Sequence, residues 1–256
     1  MLIRNILIWL FLFISAVNIT IGQTTNNIKK NTNDAGIINI FSYGIDLPGG
    51  DMNNKYSFNF RFGISPTYYF YNSNISIGIS ADYIFGNIVK NISYSNLLTS
   101  DEEIINSSFL LSSLETTERG FLFGVIFSKI FPFDKQNIRT GLRFDIGPYY
   151  ISHWIHFKDA LGEIPQLEGE YKKGYDQLTG GPSLKEFIGY QYLNQKKRIS
   201  FIAGFEFYQA YTKNLRLYNF STASENNKRN FDFLSGLKIG WILPLYKIKN
   251  PEEIYY

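Results

Sequence analysis

The chain has no cysteine among its 256 residues. That excludes disulfides, thiolate metal sites and a lipidated N-terminal cysteine. Only two histidines are present, His153 and His156, so a histidine metal cluster has almost no material, and neither metal nor cofactor is expected. Charge is scarce: Asp, Glu, Lys and Arg make up 18% of the residues, against about 25% in an average globular chain. The formal net charge is +3 with no basic run, too little to point to nucleic acid. There is no Gly-rich phosphate loop at a strand–helix junction. Long apolar runs are missing beyond residue 17. Crossing a membrane as a helix takes roughly 20 apolar residues, so no later segment can do so.

Aromatic rings are abundant: 23 Phe, 19 Tyr and 3 Trp, in a chain whose mean hydropathy is only −0.13. The N-terminus reads as an export signal. Met1 to Asn5 is short and basic, Ile6 to Val17 is almost unbroken apolar, and Thr20-Ile21-Gly22 places small residues ahead of Gln23. That order marks a cleaved secretory signal, and its apolar part is too short for an anchor.

The remainder alternates with a period of two, which means strands with distinct faces. From Tyr56 to Tyr71 the even positions are Tyr56, Phe58, Phe60, Phe62, Ile64, Pro66, Tyr68 and Phe70; the odd ones are polar or small until Tyr69 and Tyr71. The pattern recurs at Ile75–Gly86, Gly120–Ser128, Ile138–Gly147, Ile199–Phe207 and Phe231–Leu243. Gly36–Leu47 and Tyr175–Leu193 alternate less well, and a bulge at Gly180-Gly181-Pro182 would leave the direction of Glu186 open. Tight polar turns (Asn72-Ser73, Asp134–Gln136, Asn194–Lys197) alternate with longer connections (Pro48–Lys55, Asn87–Thr117, Lys158–Gly174, Asn214–Arg229). A soluble sandwich also alternates, but it has no reason to keep that parity. The expected fold is all-β: an eight-stranded antiparallel transmembrane β-barrel with short periplasmic turns and long extracellular loops. Residues 1–22 would be the signal, 23–35 a periplasmic linker, 36–246 the barrel and 247–256 a periplasmic tail. Tyr68–Tyr71, Tyr149-Tyr150, Trp154, Tyr190, Tyr192, Trp241 and Tyr246 are expected in the two interfacial girdles.

The lumen is expected to hold a charge network of Arg61, Asp82, Arg139, Arg143, Asp145, Lys185, Glu206, Asp232 and Lys238. An eight-stranded barrel is just wide enough for side chains to fill, and buried charges must pair. The expectation is an ion-paired plug; the alternative is a narrow conductance path gated by the same charges. Inward glycines would make room for the long side chains opposite them.

Catalytic material is thin, and no enzyme activity is expected. His153 with Ser152 and Asp159 is the one set comparable to the histidine, serine and carboxylate of lipid A-modifying barrels. Adjacent strand residues point to opposite faces, so His153 reads as a rim histidine. Asp101-Glu102-Glu103 and Lys172-Lys173-Gly174-Tyr175-Asp176 read as solvated outer loops rather than cation or lipopolysaccharide sites.

Lys238, Gly240, Leu243 and Leu245 resemble the last-strand signal read by the barrel assembly machinery, with leucines where aromatics are preferred. Leu47-Pro48-Gly49-Gly50-Asp51-Met52, Glu118-Arg119-Gly120-Phe121, Tyr171–Asp176 with Leu178–Gly181, and the ending Gly240–Tyr246 with Pro251–Tyr256 together resemble an outer-membrane β-barrel family of Bacteroidota, of OmpA/OmpX size. The resemblance implies the outer membrane of a host that uses type IX secretion or gliding machinery; it implies no activity and no catalytic residue. The expected function is a structural or interaction scaffold in contact with outer-membrane lipid and lipopolysaccharide, inserted by the barrel assembly machinery. Its C-terminal tail would either fold back on the periplasmic rim, with Tyr255 and Tyr256 reaching the interface belt, or dock a periplasmic or membrane protein partner; no nucleic acid is expected. The alternative is an accessory subunit of an outer-membrane machine for secretion, gliding or lipopolysaccharide handling.

Overall fold

A computed structural model describes residues 36–70, 73–91, 93–101, 103–112, 114–133, 137–159, 164–193, 200–216, 218–225 and 228–244. The chain divides into two compact units, 1–31 and 32–256, and the described residues all belong to the second. The expected signal, linker, tail, Glu102, Leu245 and Tyr246 lie outside the described residues, as do Asn72, Asp134–Gln136 and Asn194–Lys197 of the tight turns.

Eight long strands form the fold: β1 (Gly36–Gly50), β2 (Asn59–Tyr69), β3 (Ile75–Gly86), β4 (Leu114–Pro132), β5 (Gly141–Asp159), β6 (Thr179–Tyr192), β7 (Phe201–Asn214) and β8 (Arg229–Pro244). Each pairs antiparallel with its chain neighbours, and β1 pairs with β8 to close the ring. Closure leaves no edge, so the ladder satisfies every strand. A row of register partners can be followed round the wall from Asp46 through Gly236, Glu206, Phe187, Asp145, Ser128 and Ser76 to Tyr69. The partner of Asp46 on β2 is Asn59, ten residues from Tyr69. That stagger tilts the strands by roughly 40°.

The two ends differ. At one end β2–β3, β4–β5 and β6–β7 are joined by 5, 8 and 8 residues; at the other the connections have 8, 27, 19 and 14 residues. The first loop is therefore no longer than two of the turns. It counts as a loop because it folds into a 3-10 turn, Asp51–Asn54, that drives Met52 into the barrel mouth. The second loop carries a two-stranded hairpin, Ile104–Ile105 with Leu111–Ser112, inside what the sequence reads as an unbroken connection.

Three other expectations are corrected. The segment from Tyr56 does not run as one strand: β2 begins at Asn59, and Tyr56 bridges to Val89 with its ring buried inside the mouth. The loop has already broken the alternation there. The segment expected from Tyr175 is β6 and begins at Thr179, because Tyr175 caps a 3-10 turn. Finally, no bulge forms at Gly180-Gly181-Pro182: the register with β7 is the same at Gly180↔Lys213 and Ser183↔Ala210. Glu186 consequently points outward.

Phe62, Ile79, Phe123, Phe205, Leu237 and Ile239 are each more than half exposed on the outer wall. No soluble core covers them, and acyl chains are the solvent that such a belt fits. Within the wall, charges and glycines are matched across the strands. Arg61 faces Gly44, Asp82 faces Gly63, Glu118 faces Gly86, Lys185 faces Gly147, Arg143 faces Gly189, Glu206 faces Gly236 and Lys238 faces Gly204. A lumen of this diameter accommodates a long side chain only where the opposite position is empty.

Gly189 and Gly204 are also register partners of each other. A Cβ on Gly204 would lie 2.3 Å from the Ile188 carbonyl oxygen and 2.4 Å from Gly189 Cα. Both obstacles are backbone, which cannot step aside as a side-chain tip can. Gly204→Ala should therefore lower stability by about 1–3 kcal/mol through overpacking, read as a lower urea midpoint in detergent. A wild-type midpoint would show that the wall yields there.

Candidate functional site

Among the described residues the lumen concentrates the buried charged side chains. Among the described residues it holds five buried cations, Arg61, Arg139, Arg143, Lys185 and Lys238. It also holds six buried carboxylates: the expected Asp82, Asp145, Glu206 and Asp232, and in addition Asp46 and Glu118. The two extra ones had a signal. Asp46 alternates with Tyr43, Ile45 and Leu47, and Glu118 sits two residues before inward Gly120.

At mid-height the network centres on Glu206. One carboxylate oxygen lies 2.5 Å from Arg61 Nη2; the other lies 2.8 Å from Lys185 Nζ and 2.9 Å from Lys238 Nζ. Arg61 Nε lies 3.1 Å from Asp46, and its Nη1 donates to the Tyr208 hydroxyl. Lys185 Nζ sits 5.0 Å from the Tyr149 ring and 5.4 Å from the Tyr208 ring. Asp82 accepts from Ser80 at 2.7 Å, and Ser80 in turn accepts from Ser65 at 2.9 Å. Asp46, Asp82 and Glu206 thus balance Arg61, Lys185 and Lys238. Charge neutrality and hydrogen bonds together offset the desolvation of such a cluster. Tyr69 and Tyr149, both expected in the girdles, instead point into the lumen, Tyr69 against Gln191 and Tyr149 against Tyr208. The phase of β5 explains the second: inward Arg143 and Asp145 place every odd residue of the strand, Tyr149 included, in the lumen.

Toward the turn end, Arg143 pairs with Asp145 at 2.6 Å and donates to Gln191 and Ser128 at 2.7 and 2.8 Å. Arg139 lies 5.0 Å from the Tyr69 ring, and Gln191 links its backbone carbonyl to the Tyr69 hydroxyl. Ile38, Ile40, Ile130, Ile202 and Ile242 pack around this group.

Toward the loop end an apolar cap closes the mouth. The first loop gives it Met52 and Tyr56, the second Ile104, the third Ile164, Leu167 and Tyr175, packed on Ile151, Ile155 and Phe157 of β5. Arg216 of the fourth loop holds Asp176 of the third through contacts of 2.5 and 3.0 Å, which raise the affinity of that guanidinium for its proton. The stretch Lys172–Asp176 is therefore only partly a solvated loop, because Gly174 to Asp176 are buried. Asp101 and Glu103 are exposed.

His153 is not a rim residue. It points into the lumen beneath the cap, 3.4 Å from Asp232 and 3.4 Å from the Tyr56 hydroxyl, while Thr212 donates to Asp232 at 2.5 Å. Ser152 is on the opposite face, and Asp159 instead accepts from the Ile164 backbone N–H at 2.9 Å. The three residues do not meet. Nearby, Lys55 donates to Thr179 at 3.2 Å; burial holds its ammonium below the ordinary lysine value, partly opposed by Asp232 and Asp51. Among the described residues no group of three or more His, Asp or Glu is placed to hold a metal ion. Of the assembly-signal residues, Lys238 and Gly240 lie on the inward face and Leu243 on the outward one.

No protein-family model matches the chain, and no curated protein matches it. Solved barrels do. The attachment invasion locus protein Ail of Yersinia pestis, in complex with the heparin analogue sucrose octasulfate, aligns with 83% of this chain and 100% of its own at 10% identity, TM-score 0.40. The outer membrane protein OprG of Pseudomonas aeruginosa aligns with 83% of this chain and 98% of its own at 12% identity, TM-score 0.42. Similarity at this level is one of barrel architecture alone.

Proposed function

We propose that this chain is an integral outer-membrane barrel whose lumen is closed, acting as a non-catalytic structural and interaction scaffold. The observation that carries this is the stack of three obstructions in one narrow lumen: the Arg143 and Tyr69 group, the Glu206 cluster and the apolar loop cap. A conducting barrel keeps a wet, polar path; here the cations at mid-height are spent on Glu206 and Asp46. The apolar belt and the export pattern of residues 1–22 support the outer membrane, with lipid and lipopolysaccharide around the wall and the barrel assembly machinery as the insertion partner.

A role in interaction is supported at the loop end. The hairpin in the second loop presents Phe109, Leu110 and Leu111 to solvent, Phe109 being 90% exposed. Asn106 fixes the tip by accepting from the backbone N–H of Ser108 and Leu110, and Phe109 is held at φ 58, a left-handed conformation unfavourable for a bulky residue. An ordered apolar tip in water fits a docking contact.

The test is electrical. Purified protein in a planar bilayer should show no steady current of porin size. A stable, porin-like conductance would overturn the closed lumen. Co-purification after mild detergent extraction then tests the scaffold role: a partner retained by wild type and lost from Phe109→Ser supports it, and a chain that retains no partner contradicts it.

A further inference from the structure

Glu186 lies at the centre of the outer wall. Four residues along β6 toward the turn end stands Tyr190; four residues the other way stands Pro182, paired with outward Tyr150. At about 3.3 Å per residue and roughly 40° of tilt, the carboxyl is some 10 Å from each interfacial ring, near the middle of an apolar band of about 25 Å. Its register partners are apolar, Ile146 on β5 and Phe207 on β7. Its contact within the chain is a 3.4 Å hydrogen bond from the side-chain amide of Gln209, also on the outer face. The other outward charges described on the long strands differ: Glu115, Arg119, Lys129, Lys158, Lys213 and Arg229 sit toward strand ends, where long cationic side chains reach the interface and Glu115 is paired with Lys158.

A carboxyl group at that depth cannot snorkel, and acyl chains offer it no donor. Ionisable groups within the membrane are costly and mark contacts or pathways. No pathway exists here, because Glu186 faces away from the lumen. The patch is self-complementary: the Gln209 amide has a second N–H to donate and Glu186 a second oxygen to accept it. A two-fold axis along the membrane normal keeps both barrels in one orientation and sets pair against pair at equal depth, as an isologous dimer requires. A partner bringing only a cation would leave the second N–H of Gln209 unused.

We propose that the β6–β7 wall is a dimer interface between two copies of this chain, in which Glu186 and Gln209 of each copy hydrogen-bond to Gln209 and Glu186 of the other within the membrane. This rests on the membrane-barrel reading, and the test separates the two.

The chain lacks cysteine, so single cysteines report proximity without background. Phe207→Cys, between the two polar residues, should give a disulfide-linked dimer when outer membranes are oxidised. Ile79→Cys, 62% exposed in wild type on the opposite wall β3, should not. Adding Glu186→Leu to Phe207→Cys should lower the yield of crosslinked dimer about tenfold, from loss of two in-membrane hydrogen-bond sets; Glu186→Gln, which keeps hydrogen bonding, should retain most of it. Heat-modifiable gel mobility of the same samples reports barrel insertion. Folded Phe207→Cys that crosslinks no more than folded Ile79→Cys overturns the dimer and leaves the barrel reading standing. A Phe207→Cys crosslink to a different protein overturns it too. If the cysteine variants do not fold, wild type in mild detergent decides by light scattering: a dimer mass that falls to monomer with Glu186→Leu supports the interface, and a monomer mass for wild type overturns it.

Discussion

Phe205→Arg should leave most of the chain uninserted, migrating at its unfolded mobility whether or not the sample is boiled. Phe205 is 55% exposed on the outer wall of β7, between Leu237 of β8 and Ile188 of β6 in register. A cation at the midplane of the lipid face costs roughly 2–4 kcal/mol, and Phe205 lies too far from either end for a guanidinium to reach water. The same substitution at Phe109, on the hairpin tip, should leave insertion unchanged, because that residue already meets solvent. Wild-type mobility of Phe205→Arg would mean that this wall is wet and that the belt has been assigned to the wrong face.

Glu206→Ala should be the most destabilising single change in the lumen. It strands Lys185 and Lys238 beside Arg61 with only Asp46 and Asp82 to balance three cations. Breaking a buried ion pair by removing one partner costs about 3–5 kcal/mol, since the remaining charge stays buried. The urea midpoint in detergent should fall accordingly. Adding Lys185→Met should recover part of the loss, because one stranded cation leaves with it; a non-additive double mutant is the signature of a shared network. Strictly additive losses would mean that Lys185 and Glu206 stabilise the barrel separately, and the plug would not be one unit.

The inward charges were legible because they sit in good alternation beside residues whose direction is unmistakable. Arg61 stands between Phe60 and Phe62, and Glu206 between Phe205 and Phe207. Glu186 was not, because Gly180-Gly181-Pro182 has the composition of a bulge and the register passes through it unchanged. The loop cap was also hidden. Met52 and Leu167 are isolated apolar residues in polar connections and Ile104 is one of two adjacent isoleucines, and no periodicity marks any of them as buried. Tyr56 misled for a related reason: it continues the even-numbered phase of β2, but three residues before the ladder begins.

What the sequence by itself determined is the eight strands, their antiparallel all-β order and the inward direction of Arg61, Asp82, Arg143, Asp145, Lys185, Glu206, Asp232 and Lys238, since these follow from order along the chain and a period of two. The tertiary structure alone decided which charges meet. Arg61 and Glu206 are 145 positions apart and come together only because eight strands close with a ten-residue stagger. That stagger belongs to the whole ring, so no local stretch encodes it. The same closure brought His153 under the cap with Asp232 and set Glu186 beside Gln209 at mid-membrane, where a carboxyl group needs a partner that the lipid cannot supply.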